Sequence, residues 1–156
     1  MTMTHKEEIQ KRVDGFLAAC RAKGIKATHQ RVEIMRELAS TEEHPDADAL
    51  YQRVRERIPT MALDTVYRTL KLLEENGIVS RIGCTRERAR FDGNTARHHH
   101  FVCTKCGLVR DFYDEAFNSL KTPKEVPEMG CVDSVYVELR GICRTCRKQN
   151  SKEGGS

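Results

Sequence analysis

The sequence contains no long apolar run and no segment typical of a secretion signal. None of its apolar stretches approaches the ~18 residues that a membrane-spanning helix requires. The first residues, MTMTHKEEIQKR, carry charges without an apolar h-region behind them. We therefore expect a cytoplasmic protein with no membrane partner. In that reducing compartment its seven cysteines are expected to be metal ligands or free thiols rather than disulfides.

The sequence also lacks a concentrated charge of one sign. Its net charge is +4, and residues 1–92 hold 17 Lys/Arg and 15 Asp/Glu of the totals of 27 and 23. The remaining residues therefore hold 10 and 8, so each part of the chain has a net charge of +2. Such a weak excess is only a hint of an anionic partner, and charge alone does not predict DNA binding.

The first ninety residues have the periodicity of four amphipathic helices followed by a β-hairpin. The predicted helices cover 6–23, a segment after the N-cap Thr28, a segment between Pro45 and Pro59, and a segment from Asp64 to Gly77. Two short strands are predicted at 78–82 and 89–91, around the polar turn 83–87. This order is the outline of a winged helix-turn-helix, whose last helix before the wing enters the major groove of DNA.

Polar and basic side chains on the fourth helix and the wing are the candidate DNA contacts. On the helix they point away from an apolar stripe made by Val66, Leu70 and Leu73. The predicted contacts on these two elements are Thr65, Tyr67, Arg68, Lys71, Arg81, Arg86 and Arg88, and Lys26 and Arg31 are predicted as further contacts. Arginines pair with phosphates or guanine edges. A solvated basic face is the alternative interpretation, and the order of helices and wing favours DNA.

Beyond Asp92 the pattern changes to that of a small α/β domain. We predict a DNA-binding domain at 1–92, a hinge at 93–97, a second domain at 98–150 and a disordered tail at 151–156. Strands are predicted at 98–104, 108–113 and 131–140, with a possible helix at 114–121. The fold class is therefore α+β. A domain of about 60 residues needs a staple such as a structural metal or dimerisation.

Two Cys-x-x-Cys pairs in the second domain predict a structural zinc site. Cys103, Cys106, Cys143 and Cys146 can close a tetrahedron of thiolates and leave no coordination position open. The alternatives are two independent redox dithiols or buried free cysteines, and a redox motif is expected at a strand-to-helix turn. Cys20, Cys84 and Cys131 have no partner at metal spacing, and Cys20 lies on the apolar face of its helix.

Histidines and aspartates around the first cysteine pair predict a second metal site. On a strand, His98 and His100 point to one face and His99 to the other. The candidate ligands are His44, Asp92, His98, His100 and Asp111. Five nitrogen and oxygen ligands with one open position suit Fe²⁺ or Mn²⁺. Each residue taken singly also fits an ordinary solvated side chain, and His44 in particular lies in a polar loop.

In combination these motifs resemble those of the ferric uptake regulator (Fur) family. The resemblance rests on TVYRTLKLLEENGIV, the His44–Pro45 pair, RFD at 90–92, H-x-H at 98–100 and both Cys-x-x-Cys pairs, and extends from about Phe16 to Cys146. It implies a homodimeric, metal-responsive repressor of operator DNA. In such a repressor a winged helix precedes a dimerisation domain that holds the Cys₄ zinc.

Within that family the chain is most similar to the peroxide-sensing branch (PerR). That branch's regulatory ligands fall on His44, Asp92, His98, His100 and Asp111, whereas the iron-sensing branch typically has Glu at the position of Asp111. The resemblance implies structural Zn²⁺, Fe²⁺ or Mn²⁺ as corepressor, and release of double-stranded DNA when peroxide modifies His44 or His98. The alternative within the family is a repressor that senses iron, zinc or manganese.

The chain departs from the family's pattern at two places. The stretch DSVY at 133–136 has no histidine where relatives often carry ligands of an additional site, and we expect that site to be absent. Pro123 and Pro127 fall where relatives usually have a longer helix.

Two functions from other classes are less well supported. A metallohydrolase built on His98, His100 and an aspartate would need a general base, and the chain has no H-E-x-x-H motif. A thiol redox protein would need one Cys-x-x-Cys pair to be free of metal. We therefore expect no enzyme activity and no small-molecule substrate, with peroxide acting only as a signal.

Overall fold

The structure is a computed structural model that describes residues 3–82, 89–94, 96–132 and 134–153, with only the backbone of 152 and 153. It has the predicted α+β class and divides into two compact units, Met1–Thr95 and Ala96–Ser156. The division falls within the segment predicted as the hinge. No helix among the described residues is both long enough and apolar enough to span a membrane.

The first unit begins with four helices whose ends follow ordinary capping chemistry. The helices are α1 (His5–Ala22), α2 (His29–Ser40), α3 (Ala47–Arg55) and α4 (Leu63–Glu75). The side chains of Thr28 and Asp46 accept hydrogen bonds from backbone amides in the first turns of α2 and α3. Gly77 has a φ of +67° directly after the C-cap of α4, a conformation that glycine adopts at little cost.

Apolar side chains from all four helices form one core in this unit. Its fully buried members include Phe16, Ile34, Leu50 and Leu73, and Phe91 packs against the cluster from the hairpin. The third helix ends at Arg55, three residues before the predicted limit at Ile58. Pro59 accounts for the absence of helix at Ile58, because the residue before a proline avoids the helical conformation.

A two-stranded antiparallel sheet completes the first unit as the wing of a winged helix. It pairs β1 (Ser80–Ile82) with β2 (Arg90–Asp92), with Ser80 opposite Asp92. The loop before α3 adds a β-bridge between Asp46 and Arg90, and the amide of Phe91 donates a hydrogen bond to the carbonyl of Pro45. The chain around His44 is thereby held alongside the end of β2.

The second unit is a three-stranded sheet with short helices. Its strands are β3 (His99–Cys103), β4 (Val109–Phe112) and β5 (Glu138–Gly141), in the order β4-β3-β5. Strand β4 is antiparallel to β3, whereas β5 is parallel to it, with His100 opposite Glu138. Its helices are α5 (Glu115–Asn118), α6 (Val126–Met129) and α7 (Arg144–Glu153).

Three predictions for the second unit were wrong in extent. The strand predicted at 131–140 is shorter, because β5 pairs only where β3 supplies a partner. The helix predicted at 114–121 is one turn, α5. Residues 151–153, expected in a disordered tail, belong to α7, which the sequence analysis missed because this polar helix has no apolar stripe.

Candidate metal centres and nucleic-acid surface

Four cysteine sulfur atoms converge in the second unit. Cys103 ends β3, Cys106 follows one turn later, and Cys143 and Cys146 lie at the start of α7. All four sulfurs lie within 4.8 Å of one another, and those of Cys106 and Cys143 are 3.8 Å apart. Zinc bound tetrahedrally at about 2.3 Å from each sulfur separates the sulfurs by about 3.8 Å. The predicted Cys₄ set therefore fits a structural Zn²⁺.

Backbone amides favour the thiolate form of one cysteine in this cluster. Amides of Cys106 and Cys143 donate hydrogen bonds to the sulfur of Cys103 and lower its pKa to about 6. Burial raises the pKa of Cys146 to about 12, reinforced by hydrogen bonds among the neighbouring thiols. The pKa values of these two cysteines therefore move in opposite directions, so Cys103 ionises readily whereas Cys146 retains its proton until a cation replaces it.

The other described cysteines differ from this cluster. Cys20 is buried in the core of the first unit, as the sequence analysis predicted, and burial raises the pKa of its thiol. Cys131 is exposed. Cys84 lies outside the described residues.

In the second unit, two histidines and one aspartate bring their ligand atoms together. The Nε2 atoms of His98 and His100 are 2.9 Å apart, and Oδ1 of Asp111 lies 3.6 and 3.5 Å from them. Two nitrogens bound at right angles to one ion at about 2.1 Å lie about 3 Å apart. The distances therefore match neighbouring ligands of one cation. Strand pairing explains the arrangement, because His100 lies opposite Asp111 in the β3–β4 register.

A hydrogen bond sets the tautomer of His98. Its Nδ1–H donates to the carbonyl of Ala96 at 2.6 Å, so Nε2 retains the lone pair that a metal ion requires. His98 and His100 are both buried. A buried pair of imidazoles beside a carboxylate is a donor set suited to a divalent cation of the first transition series.

His99 occupies the opposite face of β3, as the alternation predicts. Its Nδ1 accepts a hydrogen bond from the amide of Val137, so its Nε2–H donates to Oδ1 of Asn118, both at 3.0 Å. Its ring packs against Phe112 and Phe117. His99 therefore joins β3 to α5 and to the segment before β5, and is unsuited to metal binding.

The first unit holds the other two predicted ligands side by side. Nε2 of His44 lies 3.7 Å from Oδ2 of Asp92, and both side chains are buried. His44 has a φ of +51°, a conformation that non-glycine residues rarely adopt and that often marks functional positions. Gly93 fixes the exit from β2, since a Cβ there would lie 3.0 Å from Cβ of Leu38.

Three of the four predicted DNA contacts on α4, namely Tyr67, Arg68 and Lys71, are exposed, and the two cationic ones lie beside acidic side chains. Arg68 is 76% exposed and pairs with Asp64 at 2.7 Å, and Lys71 lies 3.9 Å from Glu75. Tyr67 is about half exposed, whereas Thr65 is half-buried. Exposed ion pairs of this kind contribute at most about 1 kcal/mol. A phosphate can therefore compete for these cations.

The remaining predicted contacts are more scattered. Arg81 on β1 pairs with Glu74 at 2.9 Å. Arg31 donates to the carbonyl of Lys26 at 2.6 Å. A cleft of about 250 Å³ brings Arg31 and Arg68 together and is also lined by Thr28, Gln30, Thr65 and Thr69. Arg86 and Arg88 lie outside the described residues.

Two tyrosines near the histidines were missed by the sequence analysis. The ring of Tyr113 lies 6.0 Å from that of His98, and the ring of Tyr136 lies 5.9 Å from that of His100, measured between centroids. For Tyr113 the signal was present, because alternation along β4 places Asp111 and residue 113 on the same side. For Tyr136 no local pattern indicated the contact, which depends on the β3–β5 pairing.

Comparisons with known proteins agree with this architecture. The model of the family described as "Ferric uptake regulator family" matches residues 22–138. The peroxide-responsive repressor PerR of Staphylococcus epidermidis is 30% identical over 145 residues, which cover 93% of this chain and 97% of that protein. A crystal structure of the Campylobacter jejuni peroxide stress regulator is 30% identical, with a TM-score of 0.66 over 83% of this chain and 98% of that one.

A more distant structure supports the fold alone. The Helicobacter pylori ferric uptake regulator is 21% identical to this chain, and the match covers 93% of this chain and 97% of that one with a TM-score of 0.67. The shared architecture therefore extends through both units.

Proposed function

The chain belongs to the ferric uptake regulator family, and from that premise we propose that peroxide releases it from operator DNA. Membership makes it a metal-responsive transcriptional repressor rather than an enzyme, with structural zinc and a regulatory iron or manganese ion as cofactors. The finer proposal is that a homodimer holds an operator while the regulatory metal is bound. Peroxide then oxidises one of the ligand histidines.

The convergence of His98, His100 and Asp111 is the observation that carries this proposal. Two imidazole nitrogens and one carboxylate oxygen are the ligand set that non-haem Fe²⁺ uses when positions must remain open for an oxidant. The similarity to peroxide-responsive relatives supports the same signal. A closed site such as the Cys₄ cluster offers no such position.

We propose that His44 and Asp92 complete the ligand set of the same ion. Both are buried beside each other in the first unit, where the Asp46–Arg90 bridge holds the loop of His44 against β2. An ion bound by residues of both units restrains the DNA-binding unit relative to the second one. Metal binding then favours one arrangement of the two DNA-reading helices in a dimer.

The free energy required for such a switch is modest. An ion that binds the DNA-competent arrangement ~100-fold more tightly shifts the equilibrium by about 2.7 kcal/mol. One neutral nitrogen ligand is enough to supply a preference of that size. Loss of a single ligand can therefore cancel the response.

Histidine oxidation removes such a ligand. Iron held by these residues would supply an open position for peroxide and the electrons that reduce it. One oxygen atom of peroxide replaces the hydrogen on a ring carbon of His44 or His98, and the other leaves as water. The oxidised ring no longer offers a nitrogen lone pair, so the arrangement favoured by the metal is lost.

An exposed apolar surface on the second unit supports the homodimer. Strand β5 is an edge strand of the described sheet, and its Leu139 and the following Ile142 are exposed apolar side chains. Other exposed apolar side chains of this unit are Leu120, Met129 and Val132. Unpaired strand edges and apolar patches favour association with another chain. A symmetric dimer formed through this surface would bring two winged helices to an inverted-repeat operator.

Fluorescence anisotropy tests the proposal directly. The probe is a labelled duplex carrying an inverted repeat, selected with the Mn²⁺-loaded protein. Micromolar peroxide should release the duplex from the Fe²⁺-loaded protein and leave the Mn²⁺ complex intact. If the iron complex survives peroxide and follows only the iron concentration, the peroxide proposal is wrong.

The same donor set also favours one alternative. His/Asp ligands bind Mn²⁺ as well as Fe²⁺, and availability decides which one is bound. A repressor that responds to the level of iron or manganese would use the same five residues. In the anisotropy experiment it would show metal-dependent binding without any response to peroxide.

A further inference from the structure

Each ligand histidine of the second unit has a tyrosine ring beside it. Tyr113 lies 6.0 Å from His98 in a tilted arrangement, and Tyr136 lies 5.9 Å from His100 in an edge-on arrangement. The phenol ring is electron-rich, whereas an imidazole that donates its lone pair to a cation has less electron density to give. An oxidant generated at the metal therefore meets two readily oxidised rings next to its ligands.

Packing does not account for these tyrosines. Tyr113 is 60% exposed and Tyr136 is 56% exposed, so neither side chain is part of a core. By contrast, Phe112, the neighbour of Tyr113, packs against His99 and Phe117 on the other face. The positions of Tyr113 and Tyr136 are therefore better explained by a role at the metal site than by packing in the fold.

We propose that Tyr113 and Tyr136 are oxidation sites that compete with the ligand histidines for the oxidising equivalents of peroxide. This inference rests on the proposed function, since it needs iron at His98, His100 and Asp111. An aromatic C–H bond next to the hydroxyl breaks, a C–O bond forms, and the O–O bond of peroxide is cleaved. The ring loses two electrons and becomes a catechol, peroxide gains them, and the second oxygen leaves as water with the displaced proton.

The consequence is a sensor whose threshold depends on the tyrosines. A turnover that hydroxylates Tyr113 or Tyr136 leaves the histidine nitrogens intact and DNA binding unchanged. Only the remaining fraction of turnovers oxidises a ligand. The tyrosines therefore lower the amount of DNA released for each equivalent of peroxide consumed.

Mass mapping of the oxidised protein tests the inference. The zinc-containing protein is loaded with Fe²⁺ under argon, treated with one equivalent of peroxide, digested and sequenced by tandem mass spectrometry. We expect the mass of one oxygen atom on Tyr113, Tyr136 or both, together with a positive catechol stain. The Mn²⁺-loaded protein is the matched control and should show neither.

Tyr67 provides an internal control for oxidant that escapes into solution. It is 49% exposed, close to the exposure of the two proposed sites, and lies on α4 of the first unit. Oxygen on Tyr67 at the same yield would show that oxidation follows exposure alone and would overturn the inference. Selective oxygen on Tyr113 or Tyr136 supports it.

The variants Tyr113→Phe and Tyr136→Phe, singly and combined, provide the second measurement. Loss of an exposed hydroxyl leaves fold and zinc content unchanged, and a phenyl ring is harder to oxidise. We expect the double variant to show a higher yield of oxidised histidine and more DNA released for each equivalent of peroxide.

The outcomes separate this inference from the proposed function. Histidine oxidation at equal yield in wild type and double variant, without oxygen on either tyrosine, sinks the inference and leaves the proposed function standing. If no residue shows iron-dependent oxidation, both the inference and the proposed function are wrong.

Discussion

The two units of this chain reach a folded state by different means. The first buries a continuous apolar cluster that includes Phe16, Ile34 and Leu50. In the second, the buried residues of the described part are mainly cysteines and histidines, with Phe101 and Leu108 packed against the cysteines. Apolar burial stabilises a domain without any ligand, whereas four cysteine sulfurs within 4.8 Å of one another contribute most of their stabilisation once a cation is bound. One unit therefore owes its stability to its own side chains, and the other to zinc.

Zinc removal should produce the largest difference in stability between the two units. Structural zinc sites bind with about 10–16 kcal/mol at neutral pH, more than the stability of a small domain. Cys143→Ser, or a chelator with a reductant, should abolish amide protection in β3, β4 and β5 and leave that of α1–α4 unchanged. Hydrogen exchange followed by mass spectrometry measures both.

Cys131→Ser is the matched control for zinc loss. Cys131 is an exposed cysteine of the same unit that lies outside the cluster, so its replacement should change neither zinc content nor protection. If α1–α4 lose protection together with the sheet, the first unit also depends on zinc for its stability.

A cavity in the first core should produce the converse result. Leu50→Ala removes a fully buried side chain and should lower the free energy of unfolding by about 2–5 kcal/mol. Zinc stoichiometry should stay at the wild-type value. Denaturant unfolding and metal analysis provide the two readouts, and Leu63→Ala, on the surface of α4, is the control. Zinc lost along with stability would contradict the prediction.

His44→Ala should affect the response while leaving both units folded. The substitution removes one proposed ligand and leaves a non-glycine residue at the position with positive φ. We expect loss of the ~100-fold metal-dependent gain in DNA affinity, about 2.7 kcal/mol, with zinc and fold retained. Anisotropy titrations with and without Mn²⁺ measure the gain. An unchanged metal response would remove His44 from the ligand set.

Arg68→Ala should give the smallest effect and test how DNA is read. Arg68 pairs with Asp64 on the exposed face of α4, and its loss should weaken operator binding by about 1–3 kcal/mol. The control is Arg53→Ala. Arg53 lies on α3 and pairs with Glu43, and its loss should change the affinity little. Equal losses in the two variants would mean that binding reflects overall charge rather than α4.

The sequence predicted the helical half of the fold better than the sheet of the second unit. Periodic apolar residues and caps such as Thr28 and Asp46 act within a few residues, so a local pattern locates α1–α4. The length of β5 depends on β3, a partner nearly forty residues earlier, and no local pattern encodes it. The polar helix α7 was missed because it buries almost nothing and so has no apolar stripe. Of its residues with a described burial, only Cys146 is buried.

The candidate metal sites were likewise predicted where a local pattern indicates their residues, and missed where the contacts depend on strand pairing. Alternation on one strand placed His98 and His100 together, and spacing identified the cysteines. The contacts of Tyr136 and of His99 with Val137 depend on long-range pairing and became visible only in the structure.

The parallel pairing of β3 with β5 also has a consequence for synthesis. The helices and wing of the first unit are complete once residue 92 has been translated, whereas β5 and the last two zinc ligands come more than forty residues later. At roughly 5–20 residues per second, this separates the two events by several seconds. A nascent chain therefore passes through an interval in which the winged-helix unit has been synthesised while the strand and the cysteines that complete the second unit have not.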